Sequence, residues 1–435
     1  MQKTDVLVIG GGPAGSTAAT LLVERGYAVV LLEKEHHPRF HIGESLLPAN
    51  LPILERLGVA GEVKAIGMQK WGAEFISPWD GRRQTFEFAD GWNKALPFAY
   101  QVRRSQFDEI LFRRAARSGA RALEGCRVRD VELHAEGGGA LVHATLADGS
   151  NESWLARFIV DASGRDTFLG NRLKAKRRDT KHNSAALYGH FRGAQRYTAK
   201  REGDISIYWF DHGWFWFIPL ADGTTSVGAV VWPYYTKTRT VPVREFYLAT
   251  IALCAPLAER LTGAELIAEV TATGNYSYIC DRACGANYLL LGDAFTFIDP
   301  MFSSGVMLAM NSAVAGVDTI HQCLTSPRAA PRALKDFERV MRRGPDAYSW
   351  FIHRVTGPTM REMFLGPRNL LRMKEALLSL LAGDIFGTTP IWASLRAFKI
   401  TYYIVSFKSL RRSLAAMRRR ALNIRPVEPE QTTAN

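Results

Sequence analysis

Cysteine is scarce in this chain, and what there is does not pair up. Five cysteines (Cys126, Cys254, Cys280, Cys284 and Cys323) are scattered over 435 residues. An odd, dispersed set argues against a disulfide framework and for a reducing compartment. Cys280 and Cys284 lie close together, but no second Cys or His pair completes a zinc site, so no metal is expected. Acidic residues are also short, with Asp+Glu 42 against Lys+Arg 55 and a formal net charge of +13. Much of the excess sits at one end, in Lys408, Arg411, Arg412 and Arg418-Arg419-Arg420. A basic surface attracts nucleic acid, an anionic membrane face or an acidic protein; of these, no nucleic-acid partner is expected. No apolar run approaches the length of about 18 residues that marks a transmembrane helix. The N-terminus runs straight into an apolar strand behind Asp5, without the basic region, apolar core and cleavage site of a signal peptide. The expectation is a cytoplasmic protein.

What is present is a chain with 47% hydrophobic residues, enough for two or three domains with a sizeable core. Residues 6–9 form a continuously apolar strand, as in a parallel sheet buried on both faces. It runs into Gly10-Gly11-Gly12-Pro13-Ala14-Gly15-Ser16, then a helical pattern that stops at Gly26, then a second apolar strand over 28–32 ending at Glu33 and Lys34. Each glycine has a task. Gly10 makes the tight turn, Gly12 lets the backbone approach a pyrophosphate, and Gly15 lets the helix pack on the strand. Free N–H groups and the helix dipole then favour the phosphates. Glu33 is placed for the adenosine ribose hydroxyls. This supports a dinucleotide site, and the local sequence favours neither FAD nor NAD.

Two later strands end in Asp161-Ala162-Ser163-Gly164 and Gly292-Asp293-Ala294, and the second is followed by Asp299-Pro300 and Ser303-Ser304-Gly305. With these the chain resembles the class A flavin monooxygenase superfamily. The resemblance implies FAD, with Asp293 on the ribityl chain, Arg104 near the cofactor, and the helix from Ser304-Gly305 aimed at the flavin ring. Alternatives remain for two of these: Arg104 as a surface salt bridge, and Ser303 and Ser304 as simple helix caps. Gly137-Gly138-Gly139 reads as a hairpin turn. No second Gly-rich βαβ unit is visible, so flavin reduction is expected from a separate reductase or by transient NAD(P)H docking.

Three further segments narrow the resemblance: residues 40–48 (FHIGESLLP), residues 69–75 (QKWGAEF) and Gly213-Trp214-Phe215-Trp216-Phe217-Ile218-Pro219. Strand alternation puts Trp214 and Trp216 on one face and Phe215 and Phe217 on the other, and alone the run reads as a buried strand. Together with DPxFSSG, matched by residues 299–305, these segments are similar to the FAD-dependent halogenases, in the branch acting on phenols and pyrroles. The likeness covers residues 1 to about 330. It implies that reduced FAD, oxygen and chloride or bromide give hypohalous acid, which travels to Lys70 and from there halogenates an electron-rich ring. It implies a halide site at Ser304 and Gly305, a cofactor role for Gly43 and Ser45, and a tunnel wall of Trp214, Trp216 and Pro219. A desolvated lysine suits such a relay because its pKa falls. Arg39 is placed along the phosphates. Tryptophan-acting members of the family carry a glutamate before the halide segment. Here that stretch is Phe295-Thr296-Phe297-Ile298, which speaks against free tryptophan and leaves the acid/base partner of Lys70 unassigned.

The expected fold is α/β: a Rossmann-like FAD-binding domain of glutathione-reductase type (1–69, 101–180 and 265–330), an inserted, mostly antiparallel substrate-side sheet (70–100 and 181–264), a helical C-terminal region (331–424), and a disordered tail (425–435). The basic helical segment 391–423 is open to three readings: a membrane-surface contact, a docking site for an acidic partner such as an acyl carrier protein bearing the substrate, or a cap on the substrate site. Two rival functions stand beside the halogenase. One is a flavin-dependent aromatic hydroxylase of the same superfamily. The other is a non-oxygenating flavoprotein, either a prenyl-chain reductase or a membrane-associated binding protein.

Overall fold

The computed structural model describes residues 1–133, 138–180, 182–274 and 277–425. Two of the sequence expectations therefore fall at least partly outside the described residues: the Gly137 end of the hairpin turn and the tail beyond Arg425.

The N-terminal pattern folds as its periodicity dictates. β1 (Gln2–Ile9) is buried along its apolar half and lies parallel to β2 (Val29–Leu32) on one side and to Asn151–Asp161 on the other. The sheet continues in parallel through Tyr288–Leu290 at one end and Arg121–Leu123 at the other. α1 (Pro13–Glu24) follows the glycine turn with Pro13 in its first turn, where a missing N–H costs nothing. A Cβ on Gly15 would fall 1.9 Å from the Gly10 carbonyl oxygen, and Gly10 itself has φ +101°, so both positions require glycine. α1 packs against α2 (Arg104–Arg117) and α3 (Gly305–Thr325), which sandwich it over the sheet.

A second eight-stranded sheet lies beside the first. β3 (Met68–Lys70) leads to its strand β4 (Gly72–Ile76), and the remaining long strands are β5 (Ala185–Arg192), β6 (Ile205–Phe210), β7 (Gly213–Pro219) and β8 (Thr224–Val231). Their pairings are antiparallel, except that β6 runs parallel to β4. The short strands Glu265–Leu266 and Thr271–Gly274 also pair with β5, so this sheet extends past residue 264, where the sequence reading returned to the flavin domain.

The two faces of β7 pack as their alternation predicts. Trp214, Trp216 and Ile218 join a core with Phe302 from the turn before α3 and with Tyr348 and Phe364 from the C-terminal helices. Phe215 and Phe217 join the opposite core with Tyr247 and Ile251. The C-terminal region is built of helices joined by turns, among them α4 (Ala330–Ile352), α5 (Ile391–Lys408) and α6 (Leu410–Asn423), with no strand among the described residues.

Candidate functional site

One cavity of about 490 Å³ runs between the two sheets, and most of the predicted cofactor residues meet on it. Gly10, Gly12, Pro13, Ala14, Glu33, Lys34, Arg39, Gly43, Ser45, Arg104, Asp293 and Gly305 all line it. A Cβ at Gly12 would meet only the Arg39 guanidinium, at 3.5 Å, so the turn leaves open space on the cavity side. Glu33 holds the turn in shape: one carboxylate oxygen accepts from the Gly11 N–H (2.8 Å) and the other from the Glu35 N–H (3.0 Å). These features fit a dinucleotide lying along the cavity. Asp293 also faces it, and burial pushes its carboxyl up to about 6. A carboxyl poised there can accept from, or donate to, polyol hydroxyls.

Two predicted residues sit differently. Ser16 is fully buried and does not reach the cavity; its hydroxyl donates to the Gly11 carbonyl (2.9 Å), so it braces the turn from behind. Arg104 is no surface pair. It is 6% exposed and grips Asp108 one turn along α2 through two bonds (2.8 and 3.0 Å), while a third nitrogen donates to the Ile42 carbonyl (3.0 Å). It thereby fixes the segment that carries Gly43, Glu44 and Ser45.

Lys70 lies one side chain behind the cavity wall. It is 1% exposed, and its Nζ donates to Ser45 Oγ (2.9 Å) and the Leu46 carbonyl (3.1 Å). The Phe88 ring lies 5.2 Å from the amine. Burial pulls the Lys70 pKa down to about 7, partly offset by the charge of Asp204. Asp204 is buried too and accepts from the Trp71 and Gly72 N–H groups (3.0 and 2.7 Å), which fixes the backbone right after the lysine. No local pattern points to it, because Asp204 belongs to a loop more than 130 residues away.

Trp214 and Trp216 line the cavity with ring centroids 6.0 Å apart. Trp216 donates to Ser226 Oγ (3.1 Å) and lies flat over Gly228, where a Cβ would fall 2.1 Å from its ring. Pro219 ends the strand in register with Thr225 and is not on the cavity surface.

At the other end, Gly305 opens α3. Ser303 holds a left-handed turn (φ 54°), and Ser304 makes no side-chain cap bond, which removes the capping alternative for Ser304. Its hydroxyl is buried without a hydrogen-bond partner. Such an orphan is costly unless a ligand completes it.

Two buried pairs were missed at the sequence level because each spans more than 110 residues. Glu44 lines the cavity and meets His190 Nε2 at 2.7 Å, with its second oxygen unpartnered. Asp299 and His182 Nε2 are also 2.7 Å apart. Arg420 of α6 donates to His182 Nδ1 (3.0 Å), which leaves Nε2 as the N–H that donates to Asp299. Asp299 in turn accepts from the Met301 N–H (3.1 Å) and so shapes the turn before Ser303.

The sequence profile of the tryptophan halogenase family matches residues 5–92 and 88–361. The chain is 35% identical over 344 residues to a tryptophan 2-halogenase of Chondromyces crocatus, covering 78% of this chain and 65% of that protein. It is 31% identical over 408 residues to a 1H-pyrrole-2-carbonyl-[peptidyl-carrier protein] chlorinase of Pseudomonas fluorescens, covering 88% of this chain and 90% of that one. Among solved structures, the myxobacterial chondrochloren halogenase, an FAD-dependent halogenase, superposes with a TM-score of 0.78 at 34% identity, over 91% of this chain and 93% of that one.

Proposed function

The chain belongs to the tryptophan halogenase family, and from that premise we propose that it is an FAD-dependent halogenase acting on an electron-rich phenolic or pyrrolic ring. Reduced FAD, when bound, supplies the chemistry that turns oxygen and halide into hypohalous acid. The residues that would hold it are those of the cavity: Gly10, Gly12, Pro13 and Ala14 at the phosphates, with Gly15 packed behind them against Gly10, Arg39 beside them, Glu33 at the ribose, and Asp293 at the ribityl chain. Lys34 is tied to Asp166 at the same end. Supply of reduced flavin falls to a separate reductase.

One observation carries the reading: an amine with a pKa near 7, sealed from bulk water and reached from the cavity past one serine hydroxyl. Lowered that far by burial, the amine has a neutral form accessible near pH 7. A neutral Lys70 can take halogen from hypohalous acid, forming N–halogen and releasing water. Its two acceptors hold the nitrogen in place for this. Trp214, Trp216 and Ile218 wall the cavity and keep a bulky ring from the flavin end while passing a small acid. The orphan hydroxyl of Ser304 and the N–H of Gly305 offer a halide site at the start of α3.

The pyrrole chlorinase matches nearly end to end, which supports a ring carried by a carrier protein. The likeness to a tryptophan 2-halogenase keeps tryptophan in the assay despite the missing glutamate. The test supplies the full chain with FAD, NADH, a flavin reductase, chloride or bromide, and in turn phenols, pyrroles free and carrier-bound, and tryptophan. Mass spectrometry should show halogenated phenol or pyrrole. Hydroxylated product without halogen would favour the rival hydroxylase and overturn the reading.

A further inference from the structure

The C-terminal helices turn a second apolar face outward. α5 buries Ile391, Leu395 and Phe398 in the core behind the tryptophan wall. On its opposite side Ile400, Ile404 and Phe407, at helical spacing, are 60, 54 and 74% exposed. In α6 the exposed large apolar residues are Leu410, Leu414, Met417 and Leu422. Nine of the eighteen exposed large apolar side chains among the described residues lie between 400 and 422. A helix apolar on both faces is expected to be covered on both.

Charge says what covers it. Residues 385–425 hold nine Lys and Arg and no Asp or Glu. A second copy of the same face would set these cations against each other, at a cost. Among the described residues no helix is long and apolar enough to cross a membrane. What remains is an exposed apolar stripe interspersed with Lys408, Arg411 and Arg418, long side chains that can lay their stems along apolar surface and leave their charge outward. That is the make-up of a helix lying in the plane of an anionic lipid surface. We propose that the outer face of α5 and α6 docks this protein on anionic phospholipid. α6 also reaches inward through Arg420 to His182, so the docking element is fastened to the turn that precedes Ser304 and Gly305. The proposal stands apart from the flavin reading, since its test uses no turnover.

The experiment is co-sedimentation of the full chain with vesicles of phosphatidylcholine alone and of phosphatidylcholine with phosphatidylglycerol in equal parts. The expected result is binding to the anionic vesicles only, weakening as salt rises. Ile404→Asp with Phe407→Asp, both at exposed positions, should cut the bound fraction about tenfold or more with an unchanged melting curve. Arg411→Ser with Arg418→Ser should weaken it by a similar factor. No binding to anionic vesicles overturns the proposal, as does undiminished binding by the double aspartate variant. Self-association without lipid, lost in that variant, would assign the face to a second copy instead. Capture of an acidic carrier protein by this face, with no lipid binding, would assign it to that partner; either result overturns the lipid proposal.

Discussion

At the residue scale, the proposed relay rests on Lys70. Its native pKa of about 7 lies below the ordinary lysine value of about 10.4. A charged amine is therefore disfavoured in the folded state. This subtracts stability in full below about pH 7, and the loss fades as pH rises toward the unfolded value. Lys70→Met should accordingly melt higher relative to the parent at pH 6 than at pH 9; a constant difference across that range would contradict the burial argument. Turnover should rise with pH through about 7 if the neutral amine takes the halogen, and fall if the cation is the working form. Rates measured with flavin supply in excess decide this. Ser304 offers a second test. Its hydroxyl is an orphan in the fold, so Ser304→Ala should raise the melting temperature of the halide-free protein while raising KM for halide with little change in kcat. A loss of kcat alone would place the halide elsewhere.

Among the elements, β7 is the wall and Gly228 on β8 is what lets it stand. Gly228→Ala pushes a Cβ into the Trp216 ring, which must give way and strain its bond to Ser226. The expected cost is about 1–3 kcal/mol, read as a lower melting temperature, together with leakage of oxidised halide into solution. The glycine turn and the alternation of β7 are legible in the sequence because each is a local rule: one turn, one helix start, one period of two. Lys70 is legible through its company of motifs. What holds it in place is not, since Ser45 and Asp204 come from distant loops that only the folded chain brings together; the same is true of the His182–Asp299 pair at the turn before Ser303. Ser16 differs for a local reason: a serine after a phosphate turn can face either way, and here it turns back to Gly11.

For the whole molecule, the sequence left the basic C-terminal segment open between lipid, acidic partner and cap. The structure shows why one pattern carried several signals. α5 is apolar on both faces, one spent on the core behind the tryptophans and one turned outward. α6 adds a tether through Arg420, buried against His182. Arg420→Ala should cost about 1–3 kcal/mol and weaken halide binding, because the turn shaped by Asp299 loses its support; unchanged halide KM would confine Arg420 to a structural role.

The most direct test of the central claim separates making the halogenating agent from using it. Lys70→Met, loaded with FAD and given reductase, oxygen and halide, should still oxidise halide, as a diffusible scavenger would report, yet leave the aromatic substrate unhalogenated. Ring halogenation at the parental rate by that variant would contradict the account.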